Sequence, residues 1–113
     1  MVGERYIPDR GDLVWLQFDP QAEHEQSGKR PALVISPAPY NGKTGLALFC
    51  PVTSRVKGYP FEVNLPKDLP IEGVVLSDQL KSLDWHSRLA KFICKVPEET
   101  LNEALSKIDA LIR

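Results

Sequence analysis

Three groups of charged and hydroxyl side chains stand at the ends of apolar runs in this sequence. The groups are Glu25 with Arg30, Thr53 with Ser54, and Asp78 and Gln79 with Lys81. If the fold brings them together, a guanidinium could bind a phosphate through paired hydrogen bonds while a hydroxyl or carboxylate handles a proton. The residue types alone leave a second interpretation open, because a loop salt bridge and turn caps use the same side chains.

The stretch from Glu25 to Pro31 combines an acid, an amide, Gly28 and two cations directly before an apolar run. Glycine adopts backbone conformations that other residues resist, and proline lacks the N–H that a central strand would donate. We therefore predict a shaped loop that leads into a strand. Such loops on a rigid scaffold often carry function.

Composition limits the class of protein. The 113 residues, of which 42% are hydrophobic and 26% charged, predict one globular domain over residues 1–113. Because the formal net charge is only -1, any polyanion must bind a local basic patch.

Cys50 and Cys94 lack a CxxC pair or a nearby histidine, which disfavours a metal site and favours buried thiols over a disulfide. The N-terminus shows no apolar signal segment, so we expect a cytoplasmic protein without a membrane span.

Six runs rich in branched and aromatic residues predict the strands that would position these side chains. They cover residues 13–18, 31–36, 46–52, 61–65, 74–77 and 89–96. Asn41-Gly42 predicts a turn, and alternation in the last run places Phe92 and Cys94 on one face. Apolar residues at helical spacing predict a helix over 97–112. The result is a mainly β fold, a small antiparallel barrel with a C-terminal helix.

Five segments, in this order and spacing, resemble the MazF/PemK (Kid) family of toxin endoribonucleases from toxin–antitoxin pairs. The segments are Gly11 to Trp15, Glu25-Gln26 with Gly28 and Arg30-Pro31, Pro51 to Ser54, Gly58 to Val63, and Asp78-Gln79 with Lys81-Ser82. The resemblance covers essentially the whole chain. It implies a dimeric, SH3-like (CcdB-like) barrel that cuts single-stranded RNA at short sequences without a metal ion or another cofactor.

The resemblance also implies which residues are catalytic. The family's arginine falls on Arg30, its threonine on Thr53 and its loop glutamate on Glu25. In such enzymes the ribose 2′-hydroxyl attacks the adjacent phosphate and leaves 2′,3′-cyclic phosphate and 5′-hydroxyl ends. Arg30 would then bind the phosphate, Thr53 would hydrogen-bond it, and Glu25 would hold Arg30 or the loop. Since arginine normally stays protonated, the identities of the general base and acid stay open.

The triplet His24-Glu25-Gln26 is more similar to the Kid branch, whose histidine at this place contributes to the active site. In that branch a carboxylate near Asp78 transfers a proton, and an arginine stands two residues before it, where this chain has Leu76. We therefore expect a mixed site in which Arg30 and Thr53 carry the reaction and His24 assists. A solvated loop histidine is the alternative.

Five further residues are candidates for substrate binding: Ser54, Lys57, Asp78, Gln79 and Lys81. Amides and cations can hold unstacked bases and phosphates. Lys29 and Arg55 would add positive charge there or serve only solubility. Trp15 and Phe18 could stack on bases, although packing in a core is commoner for strand aromatics.

The resemblance implies several partners for this chain. These are a single-stranded RNA substrate, an acidic MazE-like antitoxin segment that covers the RNA site, a second copy of the chain, and operator DNA bound through the antitoxin. A non-catalytic alternative stays open, because CcdB toxins share this barrel but bind DNA gyrase. The joint presence of Glu25, Arg30 and Thr53 favours RNA cleavage.

Overall fold

The computed structural model describes residues 6–18 and 28–113. This part of the chain forms seven strands and two helices, namely β1 (Asp12–Gln17), β2 (Lys29–Val34), α1 (Ala38–Thr44), β3 (Leu46–Thr53), β4 (Glu62–Asn64), β5 (Val74–Leu76), β6 (Lys81–Asp84), β7 (Lys91–Lys95) and α2 (Glu98–Ile112). All strand pairs are antiparallel. The predicted mainly β, antiparallel fold with a C-terminal helix is confirmed.

Strand β3 connects the two parts of the sheet, whose order is β4-β5-β3-β2-β1-β7 with β6 also paired to β3. The first half of β3 pairs with β6, its middle pairs with β2, and its last two residues pair with β5. A strand that changes partners along its length belongs to both parts of a curved sheet. The end of β3 therefore lies between β2 and β5.

Two apolar clusters occupy the two faces of the sheet, as the alternation of side chains along a strand requires. The first contains Leu13, Leu33 and Cys50, and it is covered by Ala104 and Ile108 of α2. The second is built around Val14, Leu16, Phe49 and Trp85. Cys50 and Cys94 are both free thiols that belong to or pack against the first cluster. No helix in the described ranges is long and apolar enough to cross a bilayer.

The turn predicted at Asn41-Gly42 is wrong, because both residues lie inside helix α1. Pro37 begins this helix in an extended conformation, and Gly45 ends it with a φ of 78°. The Asn41 side chain is fully buried; it donates to the carbonyl oxygens of Pro8 and Ser36 and accepts from the Ser36 hydroxyl. These tertiary hydrogen bonds hold Asn41 in a helix despite its local preference for a turn.

The alternation predicted for the last strand is also wrong. The register between β1 and β7 shifts, since Leu13 pairs with Cys94 but Val14 pairs with Phe92, so Ile93 is an extra residue in a β-bulge. Ile93 and Cys94 therefore both pack against the first cluster, while Phe92 is 48% exposed.

Candidate active site

The two strands β2 and β3 bring Arg30 and Thr53 together. Their register pairs Ala32 with Pro51, and two residues further along come Arg30 on one strand and Thr53 on the other. On the far side of each strand, Arg30 pairs with Leu16 of β1 and Thr53 pairs with Val74 of β5. Because neighbouring strands support both residues, their backbones are held by the sheet. Both residues line one cavity of about 300 Å³.

Four of the residues predicted from the sequence line this cavity, which we call the site cavity. They are Arg30, Thr53, Lys57 and Gln79. Arg55, which was predicted to add either charge or only solubility, lines it as well. The remaining lining residues were not predicted as site residues: Tyr59, Phe61, Glu62 and Leu76.

A second cavity of about 410 Å³ adjoins the first and shares Arg30, Thr53 and Arg55 with it. Ser54 and Trp15 line this second cavity. Arg30 and Thr53 therefore stand between two openings, and a chain molecule that crosses them would extend into both. Trp15 is only partly buried and faces this opening, although packing in a core was the commoner expectation for a strand tryptophan.

The charge around the site cavity is positive and open to solvent. Arg30, Arg55 and Lys57 are all exposed. No acidic side chain in the described ranges forms an ion pair with any of the three. Three cations around one cavity make a local basic patch on a chain whose net charge is only -1.

Thr53 is oriented by the chain that follows it. Its hydroxyl oxygen accepts a hydrogen bond of 3.1 Å from the backbone N–H of Arg55. A hydroxyl can accept and donate at once, so the Thr53 O–H can still donate to an anionic oxygen in the cavity. The same bond turns the chain at Ser54 and directs the Arg55 segment along the rim of the cavity.

Glu62 determines the path of the rim from Lys57 to Tyr59. Its carboxylate accepts hydrogen bonds from the backbone N–H groups of Lys57 and Gly58, at 3.2 Å and 3.0 Å. Gly58 has a φ of 83°, a left-handed conformation that favours glycine. The rings of Tyr59 and Phe61 stack with their centroids 5.2 Å apart.

Lys81 approaches the site through Phe18. The Arg30 guanidinium carbon lies 5.8 Å from the centroid of the Phe18 ring, and the Lys81 ammonium lies 6.0 Å from it. Phe18 also packs against the second apolar cluster, so the ring is anchored in the core. Both cations therefore interact with one anchored aromatic ring.

Three predicted residues are not placed with the others. His24 and Glu25 lie outside the described residues, so their roles stay predictions. Asp78 is exposed in the turn after β5 and is absent from the linings of both cavities. Burial of the Cys50 thiol, with a smaller effect from the Asp78 charge, raises the pKa of that thiol to about 12.

The sequence pointed to most of the unpredicted lining residues only because they belong to a motif of the family resemblance. Tyr59, Phe61 and Glu62 belong to the segment Gly58 to Val63 that carries part of the resemblance. Leu76 was noted only as a departure from the Kid pattern. In the structure Leu76 faces the cavity, since the Ser77 backbone N–H and hydroxyl both donate to the Phe61 carbonyl and fix this end of β5.

Similarity to known proteins identifies the family of this chain. The model of the PemK-like, MazF-like toxins of type II toxin–antitoxin systems matches residues 9–112. The chain belongs to this PemK/MazF family.

Relatives of the PemK/MazF family match the chain over nearly its full length. The endoribonuclease toxin MazF of Escherichia coli strain K12 is 49% identical over 108 residues, which are 96% of this chain and 96% of the relative. The crystal structure of MazF from Deinococcus radiodurans has 58% identity and a TM-score of 0.87, and it covers 96% of this chain and 98% of that chain. A MazE–MazF crystal structure from the same organism has 53% identity and a TM-score of 0.86, with 96% and 97% coverage.

Proposed function

We propose that this protein is an endoribonuclease toxin that cleaves single-stranded RNA and is neutralised by a cognate antitoxin. The observation that supports this most is the position of Arg30 and Thr53 side by side in a basic cavity. Relatives of the same family bear the names of endoribonucleases and are found with MazE. The resemblance implies RNA as the substrate, and cations with a hydroxyl suit a phosphodiester between two bound nucleotides.

The proposed reaction begins when the 2′-oxygen of the ribose attacks the neighbouring phosphorus. The bond between phosphorus and the 5′-oxygen breaks, so the products carry a 2′,3′-cyclic phosphate and a 5′-hydroxyl. The 2′-hydroxyl loses a proton, and the leaving 5′-oxygen gains one. Arg30 donates two hydrogen bonds to the non-bridging oxygens, whose negative charge grows in the transition state, and Thr53 donates a third.

We propose His24, which precedes β2 in the sequence, as one partner in proton transfer. The imidazole group of histidine changes protonation near neutral pH, so it could accept the 2′-proton or donate a proton to the leaving oxygen. Glu25 would orient Arg30 or the loop. Asp78 is the other candidate carboxylate, and it lies one residue before Gln79 of the site cavity.

The flanking nucleotides extend from this centre in both directions. Lys57 and Gln79 would bind on the side of the site cavity, and Ser54 on the side of the second cavity. Lys81 would add charge beside Phe18. The acidic segment of a MazE-like antitoxin would compete for the same cations. A homodimer, and binding of the toxin–antitoxin complex to operator DNA through the antitoxin, follow from the resemblance.

One experiment tests the reaction itself. The purified protein is incubated with a long single-stranded RNA in EDTA, and the cut sites and end groups of the products are mapped. Cleavage at short recurring sequences with 5′-hydroxyl ends is expected. Products with 5′-phosphate ends would contradict the mechanism, and capture of DNA gyrase without any RNA cleavage would favour the CcdB-like alternative.

A further inference from the structure

Glu62 is a carboxylate in the site cavity that the proposed reaction does not use. The residue is only 8% exposed, although it lines the cavity. A buried carboxylate is unfavourable unless hydrogen bonds or an opposite charge compensate it. The partners of Glu62 therefore indicate what this side chain does.

Within residues 6–18 and 28–113, all the hydrogen-bond partners of the Glu62 carboxylate belong to one short backbone segment. One oxygen accepts from the N–H of Gly58 at 3.0 Å and from that of Lys57 at 3.3 Å, and the other oxygen accepts from Lys57 at 3.2 Å. The backbone N–H of Glu62 also donates to the Tyr59 carbonyl at 3.1 Å. The segment from Lys57 to Tyr59 is thus folded back onto a single residue of β4.

The same segment has little other support in the described part of the chain. Residues 54–60 are all exposed, and the hydrogen bonds that the structure shows for Lys57, Gly58 and Tyr59 all end on Glu62. The Glu62 residue is itself fixed from the other side, because the Lys107 ammonium of α2 donates to its carbonyl oxygen at 2.9 Å. Glu62 therefore joins a rigid strand to an exposed, cationic rim.

We propose that Glu62 is a positioning residue that sets the rim so that Lys57 meets the RNA backbone beside Arg30. The inference rests on the proposed function, since it assumes that the site cavity binds RNA. Glu62 acts on a cation that holds the bound substrate and not on the reacting atoms. Its loss therefore weakens binding more than it slows the chemical step, which raises KM while kcat stays close to that of the wild type.

Two substitutions at Glu62 separate hydrogen bonding from packing. Glu62→Met keeps the length of the side chain but offers no strong acceptor for the two amides. It is expected to raise KM about tenfold, with kcat within about threefold, because two backbone N–H groups lose their charged acceptor. Glu62→Gln keeps one oxygen, which can still accept from Gly58, and is expected to restore most of the affinity.

Amide hydrogen exchange, measured without RNA, reports directly on the hydrogen bonds of the rim. In Glu62→Met the amides of Lys57 and Gly58 should exchange faster than in the wild type, while those of the β2–β3 pairing should not change. In Glu62→Gln the amide nitrogen of the new side chain faces the Lys57 N–H, so Lys57 should exchange faster while Gly58 stays protected. The exchange rates in Glu62→Gln still test the proposal if Glu62→Met fails to fold.

Two matched variants control for charge and stability. Glu98→Gln removes a carboxylate at the exposed start of α2, and it should change neither KM nor the two amides. Ser106→Gly weakens α2 at an exposed position that lines neither cavity, so it should lower the melting temperature without raising KM.

The proposal is overturned if Glu62→Met leaves KM and both amides as in the wild type, or if it lowers kcat with KM unchanged. A wild-type protein that cleaves no RNA would refute the proposed function instead. The amide exchange of the RNA-free protein distinguishes the two failures.

Discussion

At the residue scale, the proposed chemistry depends most on Arg30, whose guanidinium is exposed in a cavity that it shares with Thr53. Arg30→Lys keeps the positive charge but loses the planar pair of donors that fits two phosphate oxygens. We expect kcat to fall about a hundredfold or more, as for the loss of a donor to a developing oxyanion. Single-turnover cleavage of a short RNA measures this rate.

The control for Arg30→Lys is Arg113→Lys, because Arg113 pairs only with Asp109 on the exposed end of α2 in the described structure. That variant should cleave like the wild type. If Arg30→Lys also kept the wild-type kcat, simple charge attraction would explain the role of Arg30, and the proposed phosphate clamp would be wrong.

Residue types predicted part of the site. Arg30, Thr53, Lys57 and Gln79 were found because their side chains carry chemistry, and the structure places all four in one cavity. Leu76 carries no such signal, since an apolar residue at a strand end is usually core. Glu62 was hidden for a different reason: in an alternating strand it counts as a solvent-facing residue, but its carboxylate turns back to bind backbone N–H groups.

At the element scale, the close approach of β3 and the start of β5 fixes the position of Thr53. A Cβ atom on Gly73 would lie 2.2 Å from the Thr53 carbonyl oxygen, and Gly73 has a φ of 129°. Gly73→Ala should therefore push the end of β3 away from β5. We expect a loss of about 3 kcal/mol or more in the free energy of unfolding, together with reduced cleavage by the folded fraction.

Gly45→Ala is the matched control for Gly73→Ala. Gly45 also has a positive φ, 78°, but an added Cβ would meet nothing within 4 Å. This variant should lose only about 1 kcal/mol, the ordinary cost of replacing a left-handed glycine, and its cleavage rate should not change. Urea unfolding measures both free energies, and equal losses would show that the contact with Thr53 does not matter.

The sequence predicted the strands and the helix whose own pattern of apolar residues is enough to identify them. Strands β1 to β5, strand β7 and helix α2 were expected from apolar runs or helical spacing, to within a few residues. Strand β6, Lys81–Asp84, was not, because its exposed residues give no apolar run and only pairing with β3 makes it a strand. Helix α1 forms in spite of a strong turn signal for a similar reason. The buried side chain of Asn41 forms hydrogen bonds with Pro8 and Ser36, and rules based on neighbouring residues do not include such contacts.

At the scale of the whole molecule, the antiparallel topology explains why distant segments form one site. The start of β2 and the short strand β5 flank the end of β3 on its two sides, so Arg30, Thr53 and Leu76 line one cavity. The sequence could predict such a meeting of strands only in general terms. The exact partners depend on the register between Ala32 and Pro51 and on the change of partners along β3.

The same topology concentrates positive charge on a molecule whose net charge is -1. Arg30, Arg55, Lys57 and Lys81 stand around the site, so RNA binding should depend on salt as if about four phosphates were neutralised. For single strands this predicts a slope of about −3 in a plot of log K against log salt concentration. Lys57→Gln should reduce the slope by about 0.7, whereas Lys43→Gln on α1 should leave it unchanged. The affinity of a short RNA, measured by fluorescence anisotropy from low to physiological salt, gives these slopes. Equal effects of the two lysine substitutions would mean that RNA binds by overall charge and not at this cavity.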